Sequence, residues 1–73
     1  MYMMWFDDST KKTVSVKIEE AIEAYVRHFR SQPNVVLVSE GDRVEMQGVR
    51  IRSAQFIRRD NYWVGWEDPK IAA

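Results

Sequence analysis

Five arginines, Arg43, Arg50, Arg52, Arg58 and Arg59, fall within one short stretch, and Tyr62, Trp63 and Trp66 follow close behind. Guanidinium groups that hold phosphates, set beside rings on which bases stack, are the equipment of single-stranded nucleic-acid binding. Arg50 and Arg52 lie opposite Val49 and Ile51 in the alternation of a strand, so both project from one sheet face. Arg50, Arg52, Arg58 and Arg59 are therefore the candidate nucleic-acid contacts. The local charge weighs against them. From Gly41 to Trp63 the five arginines meet Asp42, Glu45 and Asp60, a net of +2, whereas phosphate-driven binding rests on a denser basic cluster. Arginines also guard strand edges and pair with nearby carboxylates, and this plainer explanation is preferred.

Other chemistries find less support. Nucleophilic catalysis needs a nucleophile, a base and usually an orienting group, yet the chain has no cysteine, one histidine and no serine in a glycine-flanked elbow. An enzyme is not expected, and no catalytic residue is assigned. His28 falls at the edge of a helical apolar stripe, where a boundary residue with one ring face packed is the ordinary explanation. Asp7-Asp8 lacks the spacing of a calcium loop and suits a turn, so no metal site is expected. Gly41, Gly48 and Gly65 are scattered, with none opening a helix, which leaves no phosphate cradle and no cofactor.

The elements that must carry these residues are those of one small domain spanning 1–73, with an ordered core over about 2–67 and a tail over 68–73. Hydrophobic residues make up 45% and charged residues 30% of the chain, the balance of a globular protein rather than a disordered one. Without cysteine, packing alone must hold the domain. Eleven basic residues cancel eleven acidic ones, so no global field draws in nucleic acid or an anionic membrane. The apolar runs are far shorter than the roughly 18 residues of a membrane span, and Asp7-Asp8 cuts short any secretory signal. A cytoplasmic protein is expected, with no membrane partner and no small-molecule substrate.

Val14, Ile18, Ala21, Ile22, Tyr25, Val26 and Phe29 recur at helical spacing and predict an amphipathic helix, with Thr13 as its N-cap and Pro33 beyond its end. Glu23 and Arg27, four apart, are expected to pair on its exposed face. A rival pattern also exists: Thr13-Val14-Ser15-Val16 alternates like a strand, which permits a hairpin of Met3–Asp8 with Thr13–Lys17, ranked second. The other apolar runs predict strands over Tyr2–Phe6, over Val35–Val38, in two short pieces carrying Val44, Met46, Val49 and Ile51, and over Tyr62–Glu67. The expected fold is α+β in the order β-α-β-β-β, one helix packed on one face of a mostly antiparallel sheet of three to four strands, its first two strands parallel neighbours across a right-handed crossover.

Three of these strands read as continuous apolar runs, the pattern of strands buried on both faces. One helix covers one face only. The second face needs the chain's own tails, another copy or a different partner, and self-association is expected. The sequence therefore favours a non-enzymatic interaction module, a homodimer or the partner of another protein, with Trp5, Tyr62, Trp63 and Trp66 as candidate interaction residues. A small nucleic-acid-binding protein is the alternative.

Overall fold

Thr13 starts the helix: its backbone is extended, and its hydroxyl accepts the Val16 N–H at 3.2 Å. A serine or threonine so placed satisfies a donor that the first turn leaves orphaned. The helix, α1 (Val14–Phe29), ends where Arg30 turns left-handed with φ 58° and returns its N–H to the Val26 carbonyl. This excludes the rival hairpin over Thr13–Lys17. Glu23 and Arg27 form no ion pair among the described residues; Lys12 instead bridges Asp7 at 3.2 Å and Glu20 at 2.7 Å.

The computed structural model describes residues 2–72. Around α1 it places β1 (Tyr2–Phe6), β2 (Val35–Val38), a 3-10 turn (Glu40–Asp42), β3 (Arg50–Ser53), β4 (Asn61–Gly65) and α2 (Pro69–Ala72). The fold is α+β, one long helix on a four-stranded mixed sheet in the order β1-β4-β2-β3. Both ladders of β4 are antiparallel, and β2 pairs with β3 in parallel. The β1 and β2 strands do run parallel, but they are not neighbours: β4 lies between them. The reason is burial. Tyr62 and Val64 on one side of β4 are both 0% exposed and Trp63 packs on the other, so β4 needs cover that only a central strand obtains.

One correction concerns the stretch before β3. Val44, Met46 and Val49 are not in a strand; they belong to the crossover that returns the chain parallel to β2, and they pack onto the helix-side core beside Ile51. Their apolar spacing reflects a loop with one side on the core. Gly48, at φ 83° with open space around it, supplies the left-handed residue this path requires. After β4, Asp68 Oδ1 accepts the Lys70 N–H, and residues assigned to a tail form the single turn α2.

The sheet separates two apolar layers. Beneath α1, Ile18, Ala21 and Tyr25 pack on Val36, Val38, Tyr62 and Val64. Completely burying a side chain such as Ile18 contributes about 1.5–3 kcal/mol. On the opposite face Ile57, folded back from the β3–β4 loop, packs on Val35 and Leu37 with Ala54 and Trp63 at its margin. The chain thus covers part of its second face with its own loop. No helix among the described residues is long and apolar enough to cross a membrane.

Candidate interaction face

Strand alternation and register decide what the helix-free face carries. Met4 stands opposite Trp63, Trp63 opposite Leu37, and Leu37 opposite Arg52; Tyr2, Gly65, Val35 and Arg50 form the parallel row. The face therefore runs from Tyr2, Met4 and Phe6 at one edge, across Trp63 and the Ile57 cluster, to Arg50 and Arg52 at the other. Phe56 meets the Trp63 ring edge-on at 5.2 Å, and Tyr2 lies 6.3 Å from the same ring. Such tilted ring pairs hold aromatic side chains in place. Around them Met4 is 70%, Phe6 62% and Phe56 66% exposed, a grouped apolar surface rather than scattered single residues.

One end of this face is fastened by Glu67. Its carboxylate oxygen Oε2 accepts the Tyr2 hydroxyl and the Arg52 guanidinium, the latter at 2.7 Å. The segment is held by backbone too: the Asn34 amide donates to the Glu67 carbonyl at 2.7 Å and accepts the Glu67 N–H at 2.8 Å. The Tyr2 hydroxyl, aided by Arg52, holds the Glu67 carboxyl below its ordinary value against the opposing effect of burial. Burial first, and then Glu67, raises the Tyr2 phenol.

At the opposite end of the sheet sits a polar knot. Asp42, with a completely buried side chain, accepts the Asp60 N–H at 2.7 Å and Arg59 Nε at 2.8 Å. Burial alone would raise its carboxyl, but the donors from Asp60 and Arg59 outweigh it and leave the value lowered. Arg59 passes over Gly41, where a Cβ would lie 3.0 Å from the Arg59 Cδ. Asp60, itself left-handed at φ 68°, receives the buried Lys17 ammonium at 3.1 Å. The Tyr62 hydroxyl is buried with no partner among the described residues, and burial, with Asp42, Asp60 and Asp7 nearby, pushes it up to about 12.

The sequence-predicted residues divide accordingly. Trp5 and Tyr62 are not on the open face: both belong to the helix-side layer, Tyr62 completely buried and Trp5 packed on the core with its indole N–H unpartnered among the described residues. Trp5 keeps part of its ring at the surface beside Glu20, Glu23 and Arg27. Trp63 anchors the open face, and Trp66, just beyond β4, is 49% exposed. Arg50 and Arg52 share a face as their spacing predicts, but the four arginines do not act as one group. Arg52 is tied to Glu67 and Arg59 to Asp42, while Arg50 and Arg58 are exposed and form no ion pair among the described residues. Met4, Phe6 and Phe56, exposed beside Trp63, were not singled out from the sequence. The parity of the first strand carried the signal for two of them, and the Phe56-Ile57 pair inside a polar loop carried it for the third.

Among the described residues no group of three or more His, Cys, Asp or Glu side chains is arranged to hold a metal ion. His28 is exposed and packs edge-on against Phe29 at 4.6 Å. No family model, no curated protein and no solved structure matches this chain, so its geometry is the ground for any functional reading.

Proposed function

We propose that the protein is a non-enzymatic interaction module that self-associates through the open face of its sheet. The observation that supports this reading is the cluster of Met4, Phe6 and Phe56 around Trp63, most of it facing water. Grouped apolar surface of this kind on a small domain marks an interaction site, because covering it removes an unfavourable water contact at about 25 cal/mol per Å². Aromatic and methionine side chains are also the types enriched at interface cores. Trp63, already immobilised by Phe56 and Tyr2, is the anchor with least conformational freedom left to lose.

Sedimentation equilibrium over micromolar to submillimolar concentrations tests the reading. A mass of two chains is expected. Phe6→Lys combined with Phe56→Lys is expected to return the single-chain mass with the far-ultraviolet circular dichroism unchanged, since both residues are exposed. A single-chain mass for the unaltered protein across the whole range is the result that overturns the proposal.

A further inference from the structure

We infer that two copies join edge to edge through β1, antiparallel about Met4, so that four strands from each make one continuous sheet; this rests on the self-association proposed above and places its seam at the β1 margin of the open face. The order β1-β4-β2-β3 leaves two strands with a free side, and they are opposites in character. The β3 edge is Arg50-Ile51-Arg52-Ser53, and a second copy pairing there would set arginine near arginine. Charged side chains on an edge block such pairing. The β1 edge is Tyr2-Met3-Met4-Trp5-Phe6, without charge, proline or glycine, and its five pairs with β4 run in unbroken register with no bulge to twist it away. Nothing in this edge discourages a second strand.

The hydrogen-bond phase of β1 also suits a partner. The Asp7 N–H donates to the Asp60 carbonyl at 3.0 Å. In an antiparallel ladder backbone groups alternate sides, so Trp5 and Met3 turn theirs toward β4, while Tyr2, Met4 and Phe6 turn theirs outward. An antiparallel copy centred on Met4 sets Met4 against its equivalent and Tyr2 against Phe6 of the partner, each pair exchanging N–H and carbonyl. Tyr2, Met4 and Phe6 also carry their side chains on the open face, so the same pairing sets two apolar edges side by side and gives Met4 and Phe6 cross-strand neighbours along the seam. Centring on Phe6 instead would set Asp8 against Met4, a charge on an apolar row. The two-fold about Met4 avoids this, and it is isologous, closing at two copies.

Amide hydrogen exchange at low and high protein concentration reads the edge directly. The amides of Tyr2, Met4 and Phe6 are expected to exchange freely when dilute and to become protected as the copies associate, whereas those of Met3 and Trp5 are protected throughout. Met4→Pro removes an N–H that points away from β4, so it spares the internal ladder, and Met4→Ala matches its side-chain loss. Met4→Pro is expected to raise the dissociation constant roughly 30-fold beyond Met4→Ala, the equivalent of one lost hydrogen bond in each copy. Should Met4→Pro unfold the chain, the exchange pattern of the unaltered protein decides. A dimer whose Tyr2, Met4 and Phe6 amides stay unprotected, or a Met4→Pro dimer as tight as Met4→Ala, overturns the edge geometry and leaves self-association standing. A single-chain mass throughout overturns both.

Discussion

Two buried polar groups, Asp42 and Tyr62, set opposite pH dependences at the level of single residues. Asp42 supports the left-handed Asp60 through its N–H and holds Arg59 across Gly41. Replacing it with alanine orphans that N–H, and Asp42→Ala is expected to lower the free energy of unfolding by about 1–3 kcal/mol in urea titration. Arg59→Ala, whose side chain is largely in water, is expected to lower it by less than about 1 kcal/mol. The folded value of Asp42 lies below the ordinary 3.8, so its contribution is complete above that value and is lost as the pH falls through the folded one. Asp7, lowered first by the Ser9 N–H, and Glu67, lowered first by the Tyr2 hydroxyl, carry the same sign. Acid unfolding is expected below about pH 4, and Asp42→Asn is expected to flatten that limb. Tyr62 acts at the other extreme. Its phenol titrates near 10 when unfolded and at about 12 when folded, so keeping it buried and neutral costs no ionisation below pH 10 and lowers the stability of the fold as the pH rises from 10 to 12. Tyr62→Phe is expected to gain about 1 kcal/mol at neutral pH by removing an unpartnered hydroxyl, and to shrink the alkaline loss to the part owed to Tyr2. None of this was legible in advance. Glu40-Gly41-Asp42-Arg43 has the composition of any polar turn, and no local pattern announces that Asp42 will meet a residue 17 positions away.

Elements whose determinants are local were readable, and those set by distant contacts were not. The span Val14–Phe29 follows from periodicity and the Thr13 cap, which lie within one stretch of chain. Thr13→Ala is expected to lower the thermal midpoint by the equivalent of about 1 kcal/mol. The helix terminator is less favourable, because Arg30 adopts a left-handed backbone suited to glycine. Arg30→Gly is expected to raise the stability measured in the same thermal scan by about 0.5–1 kcal/mol. By contrast Val44 and Met46, then Val49 and Ile51, are each spaced as in a strand, yet what Val44, Met46 and Val49 meet is the helix-side core from a crossover. Whether an alternating segment pairs or merely packs depends on where β2 and β3 lie, and that information is remote from the segment. Lys17 depends on distance in the same way: its side chain is buried on the helix, and the position of Asp60 explains why its charge is tolerated there.

For the whole molecule, the sheet with one shielded and one partly shielded face accounts for the proposed behaviour. Association stabilises only the folded state, so the thermal midpoint is expected to climb with protein concentration, and to stop climbing in the Phe6→Lys, Phe56→Lys variant. Single-stranded oligonucleotides are expected to leave tryptophan fluorescence unchanged at low salt, because Arg52 and Arg59 already serve carboxylates of the same chain. The need for a second cover was legible from the continuous apolar strands. Its location was not, since the Ile57 loop shields Val35 and Leu37 and moves the bare surface toward β1. The strand order has a consequence for biosynthesis as well. The last strand in chain order among the described residues, β4, is the one that joins β1 to the β2–β3 pair. A nascent chain halted at Asp60 therefore holds a helix, a lone ribbon and an unattached parallel pair, with no sheet to assemble. Closure of the sheet therefore waits for this keystone, and the strands on either side of it are joined in a single step.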